Sequence, residues 1–155
     1  MRKTLKVLHL LAAAGFVGAF CVALTAVFDA PGSAQSAAAV HQLLALAMRW
    51  IVLPSLAVLA LTGLLAIAVH RPFIDAGWVW IKALVGMTAA GVVLINTLPA
   101  LDQAAAAAAA ASDASIGSLE PLLRTERMSF AINLALAAIA TVLGVWRPRL
   151  SRRPD

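Results

Sequence analysis

Four stretches of about 20 apolar residues, each almost free of charge, dominate this chain, and that length is what one helical crossing of a ~30 Å hydrocarbon layer requires. They cover residues 7–28, 50–69, 78–98 and 128–146. Inside lipid every backbone N–H and C=O must find a partner within the protein, which leaves helices or a closed barrel. The runs are continuous rather than alternating, so they read as helices. With 63% hydrophobic and 12% charged residues, and a mean hydropathy of +0.94, a water-soluble fold is excluded. The expectation is one domain over residues 1–155, all-α, an integral membrane four-helix bundle. The single cysteine excludes an internal disulfide and any multi-cysteine metal site.

Local chemistry marks the ends of the runs. The first follows a basic start, residues 1–6, and is interrupted only by His9, Cys21 and Thr25. A signal peptide shares the basic start, but its apolar region is about 7–15 residues, so this run reads as a retained span. Residues 29–37 are turn chemistry. Pro54 falls in the first turn of the second run, where its missing N–H costs least, and Pro99 stops the third. Trp50, Trp78, Trp80 and Trp146 all lie at run ends, where an indole prefers the headgroup region. Between the third and fourth runs, residues 99–127 read as a loop that contains the alanine tract 104–111, with Ser118 capping a helix that has Glu120 and Pro121 in its first turn. Small residues four apart, such as Gly15 and Ala19 or Gly86 and Ala90, suit close helix packing in lipid.

Four spans return both termini to one side, together with the 70–77 connection. That side receives Arg2, Lys3, Lys6, Arg71, Arg147, Arg149, Arg152 and Arg153, a net +6 against −2 on the other. By the positive-inside rule both termini of this multi-pass protein are expected to be cytoplasmic. The overall charge of +5 therefore reports topology and not nucleic-acid binding. The expected partners are the lipid bilayer and either another membrane protein or a second copy of the chain.

An ionisable side chain in hydrocarbon is costly and needs a partner or a purpose. His9 and Lys82 each sit about one turn inside the cytoplasmic boundary, on the first and third spans, and His70 marks that boundary on the second. These three are the candidate cofactor-binding residues. His9 reads as an axial ligand of haem iron or a proton carrier, or else as an interfacial histidine bonded to a neighbouring helix. Lys82 reads as a snorkelling lysine, or as a cation that holds a carboxylate such as a haem propionate. His70 reads equally as a solvated histidine at a helix C-terminus. Towards the opposite face, His41, Met48 and Met128 form a soft donor set suited to copper, or simply pack. Arg49 is expected to meet a headgroup, Glu120 or Glu126, while Asn133, Ser55 and Thr62 are expected to bond between helices. No Walker loop, dinucleotide fingerprint, HExxH or GxSxG occurs.

Leu8-His9-Leu10, Met48-Arg49-Trp50 with Pro54 and Gly63, Gly77-Trp78-Val79-Trp80-Ile81-Lys82 and Val145-Trp146-Arg147-Pro148 carry a resemblance. The chain resembles four-span bacterial inner-membrane proteins of the domain-of-unknown-function kind. More distantly it is similar to the haem-dependent membrane protoporphyrinogen oxidase family and to copper-resistance D membrane domains, over about residues 5–98. The oxidase resemblance implies a b-type haem in the bundle, with His9 and Lys82 at the positions of that family's functional histidine and lysine. The chain departs from the family at Phe16, where the family has tryptophan, and at Trp80, where it has histidine. The resemblance therefore implies a haem site, with a haem- or porphyrin-linked redox role, more strongly than the oxidase reaction. The alternative is a copper-handling or scaffold subunit without enzymatic activity.

Overall fold

A computed structural model describes residues 2–28, 32–69 and 76–146. The chain is an all-α four-helix bundle with four helices long and apolar enough to cross a membrane. It is a multi-pass membrane protein. The first span is α1 (Arg2–Phe28). The second is α2 (Ala34–Ala47), a π-helical turn (Met48–Val52) and α3 (Leu53–Val69) in one continuous rod. The third is α4 (Gly77–Gly91), a π-helical turn (Val92–Thr97) and α5 (Leu98–Ala110). A 3₁₀ turn (Asp113–Leu119) leads into α6 (Glu120–Trp146), the fourth. Up-and-down topology gathers Arg2, Val69, Gly77 and Trp146 at one end, here the base, and Phe28, Ala34, Ala110 and Glu120 at the other, the tip.

The second and third rods are longer than the apolar runs. At 1.5 Å per residue, 36 and 34 residues extend about 54 and 51 Å, well beyond a ~30 Å hydrocarbon layer. Residues 33–37 begin a helix and are not a turn. Ser33 is extended and forms a capping box with Ser36: the Ser36 N–H donates to Ser33 Oγ at 3.2 Å and the Ser33 N–H to Ser36 Oγ at 3.1 Å. Neither proline ends its helix. Pro54 and Pro99 each lack an N–H, and the residue before each makes an i→i−5 bond instead, Leu53 N–H to Met48 O and Leu98 N–H to Val93 O. One extra residue per turn moves the carbonyl that the proline ring would strike, so the rod continues through a π turn. The expected loop over 99–127 contracts to a short connection around the 3₁₀ turn, because alanines 104–110 are helical. Ser118 does not cap α6: its hydroxyl donates to the Ser115 carbonyl, and the capping box here is Ser112 with Ser115.

The buried core occupies the middle and tip. Phe16, Phe20, Ala23 and Val27 of α1, three or four residues apart, meet Leu44, Met48 and Val52, then Val93 and Leu101, then Phe130 of α6. Phe20 stacks on Phe16 at 4.9 Å and edge-on to Phe130 at 5.8 Å. At the tip the alanine tract finds its use: Ala108 and Ala37 are buried against each other's helix, so α2 and α5 run close together. At the base α3 and α4 touch little, and the two rods diverge. The outer surface is apolar, with Leu11, Val22, Leu64, Met87, Ile95 and Val142 exposed, as a lipid-facing surface requires. Trp80 and Trp146 are exposed near span ends, whereas Trp50, also exposed, falls in the π turn near the middle of the second rod and not at its end. Of the small-residue pairs, Gly15 marks a true close approach: a Cβ there would lie 2.9 Å from Ser55 Oγ on α3.

Candidate functional site

Two polar constellations interrupt the apolar interior, one at each end. At the base, α1 and α3 bring His9 Nδ1 to 2.7 Å from Thr62 Oγ1. The Thr62 hydroxyl lies 2.6 Å from the Val58 carbonyl, a separation that requires its single hydrogen to point there. Thr62 Oγ1 therefore accepts from His9, His9 carries its proton on Nδ1, and the lone pair sits on Nε2. This is the arrangement of a metal-ligating histidine whose other nitrogen is held by a neighbouring oxygen. Lys82 of α4 lies within electrostatic reach of His9. Its ammonium rests against α6 at Gly144, where a Cβ would come within 2.8 Å of Nζ. Three spans thus converge on His9, Thr62 and Lys82, and the absence of a side chain at position 144 on the fourth makes room for the lysine.

At the tip, His41, Glu126, Ser129, Thr97 and Asn133 are all buried. His41 Nδ1 lies 2.7 Å from Ala37 O and Nε2 lies 3.0 Å from Glu126 Oε2. Ser129 Oγ and Thr97 Oγ1 are 2.6 Å apart, and Asn133 Nδ2 donates to Ser129 O at 3.0 Å and more weakly to Thr97 Oγ1 at 3.4 Å. Glu126, Ser129 and Asn133, spaced by three and four, form one stripe along α6. Thr97 reaches it from the π turn of the third span. Glu126 Oε1 and Asn133 Oδ1 are buried with no hydrogen-bond partner. Among the described residues, Arg49, Asp102, Glu120 and Arg127 are paired, and Arg124 is exposed. Arg49 Nη2 donates to both Asp102 oxygens at 2.9 Å, so its partner is neither Glu120 nor Glu126. Arg127 donates to Glu120 at 3.0 Å and lies over the Phe28 ring at 5.6 Å.

His41, Met48 and Met128 are not brought together as a donor set. Met48 is fully buried in the core, Met128 is exposed, and both His41 nitrogens face protein oxygens. Among the described residues no group of three or more His, Cys, Asp or Glu side chains could hold a metal ion. His70 lies outside the described residues. Sequence reasoning considered Glu126 only as a partner for Arg49 and missed its pairing with His41. Glu126 stands before the fourth apolar run, and only the polar spacing from 126 to 133, together with Pro121 as a helix opener, signals that α6 has already begun.

No protein family, curated protein or solved structure matches this chain. The functional reading therefore rests on the chemistry of the two constellations.

Proposed function

We propose that this chain is a bacterial inner-membrane protein, base and termini cytoplasmic, that binds a b-type haem in the basal half of its bundle and serves a haem- or porphyrin-linked redox role. The observation that carries the reading is the His9–Thr62 bond. It fixes the imidazole in the tautomer that presents Nε2 to a metal, within an otherwise apolar span where a histidine is costly. Lys82 would supply the complementary cation for a haem propionate, and α3 and α4 touch little at the base. The donor chemistry present fits haem: one neutral imidazole nitrogen, one nearby ammonium and apolar walls. Bound haem would supply one-electron redox chemistry. His9 would hold the iron, Thr62 would orient His9, and Lys82 would offset the carboxylate charge. The orientation follows from the eight basic residues of the N-terminal stretch, the 70–77 connection and the residues after Trp146.

The test is the visible absorption spectrum of the protein purified in mild detergent, oxidised and dithionite-reduced. The expected result is a Soret band that shifts on reduction, at near-stoichiometric haem, and that is lost in His9→Ala. A colourless protein that stays colourless after haem addition, or a spectrum unchanged by His9→Ala, overturns the proposal.

A further inference from the structure

The tip constellation has no part in the haem reading, and its hydrogen-bond geometry constrains its protons. A backbone carbonyl only accepts, so the 2.7 Å contact with Ala37 O places a proton on His41 Nδ1. Nε2 and Glu126 Oε2, 3.0 Å apart in a site closed to solvent, also need a proton between them, since otherwise a lone pair would face a carboxylate. That proton sits either on the imidazole, giving an ion pair, or on the carboxyl, giving a neutral pair. Either way the pair has the same net charge. Oε1 is the one atom of the pair with no partner, and it is buried. A second proton added at Oε1 makes that oxygen a donor, makes the histidine an imidazolium, and raises the charge of the pair by one. Among the described residues the other charges of this end are engaged elsewhere, Arg49 with Asp102 and Arg127 with Glu120. Arg124 on α6 is exposed. Glu126 is the charged group that bonds His41.

We propose that His41 and Glu126 form a proton-binding site in the tip of the bundle, holding one proton on the Nε2–Oε2 axis and taking a second at Glu126 Oε1. The polar stripe gives this site a direction. Ser129, Thr97 and Asn133 continue from Glu126 along one face of α6, about 10 Å at 1.5 Å per residue, and end at a second buried acceptor without a donor, Asn133 Oδ1. The site binds protons at the tip and faces inward along hydroxyl groups that both donate and accept.

The chain is well suited to a direct test, because it has three histidines and two glutamates. The full-length protein in detergent micelles, labelled with ¹⁵N in the histidine rings and ¹³C in the glutamate carboxyls, is titrated with pH by NMR, with Glu126 assigned by loss of its signal in Glu126→Gln. Interacting sites titrate in steps that belong to the pair, so the His41 ring and the Glu126 carboxyl are expected to report the same midpoints. Glu120 is expected to follow its own curve. In Glu126→Gln the shared acid-side step is expected to vanish from the His41 signal. Different midpoints for His41 and Glu126 in the unmodified protein, or a Glu126 curve that coincides with that of Glu120, overturn the proposal whether or not the variant folds.

Discussion

Removing the two members of the His41–Glu126 pair should have unequal costs, and the inequality follows from which atoms are left behind. His41→Leu strips the only hydrogen-bond partner of a carboxyl group whose Oε1 is already unpartnered, in a side chain with no solvent exposure. Breaking a buried pair in this way costs about 3–5 kcal/mol. Glu126→Leu leaves an imidazole that keeps its Nδ1 bond to Ala37 O and loses only the partner of Nε2, so one unsatisfied neutral acceptor remains at a cost of about 1–3 kcal/mol. The double variant replaces both by apolar side chains in a core of Leu44, Met48 and Phe130, where such replacements are often neutral or stabilising by about 1–4 kcal/mol. It should therefore be more stable than His41→Leu alone. Unfolding in mixed micelles by increasing SDS, followed by the fluorescence of the four tryptophans, gives all three values. Near-equal single costs below about 1 kcal/mol that simply add in the double variant would refute the reasoning, since additivity means that the residues do not interact.

Thr62→Val removes the oxygen that orients His9 while keeping the shape of the side chain. Haem affinity, measured by titrating haem into apoprotein, is expected to fall by about 10–100-fold, as for other residues that support a metal ligand. Gly144→Ala places a methyl group 2.8 Å from the Lys82 ammonium, so the lysine side chain must shift. Stability is expected to change by less than about 1 kcal/mol, whereas redox potentiometry of the haem-loaded protein should show a shifted midpoint.

The four spans are legible in the sequence because a bilayer imposes one minimum length on every apolar run. The extensions of the second and third rods are not. Residues 34–47 and 98–110 are rich in alanine, so they show neither a long apolar run nor a stripe of large side chains. Their helices are held by Ala37 and Ala108 packing between two segments about 70 residues apart, which no local periodicity records. Pro54 and Pro99 have the look of helix ends, and only the repeated Leu-Pro step, 45 residues apart, hints that both spans pass their proline by the same π turn. At the base, His9 and Lys82 stand out as ionisable groups in lipid and Thr62 as a hydroxyl expected to bond between helices, but that its partner is His9 shows only once α1 and α3 are paired. At the tip, Glu126 is hidden because a carboxylate upstream of an apolar run resembles a loop residue.

The two ends of the bundle should respond separately to perturbation, because they are packed by different means. The tip depends on side chains of one carbon, and Ala108 is almost wholly buried where α5 meets α2. Ala108→Leu adds three carbons at a position only 1% exposed. The helices must part, at a cost of about 1–3 kcal/mol, and the disturbance should pass to Arg49–Asp102, which joins the same two rods, and to His41–Glu126, which joins the second rod to α6. The His9–Thr62 bond joins α1 to α3, on the far side of the π turn, and the core of Phe16, Phe20 and Phe130 stands between the two ends. The expected outcome is a lower SDS midpoint together with an unchanged His9 ring signal in the ¹⁵N spectrum. A His9 signal that moves along with His41 would mean that the rods transmit strain through the π turns and that the bundle behaves as one body.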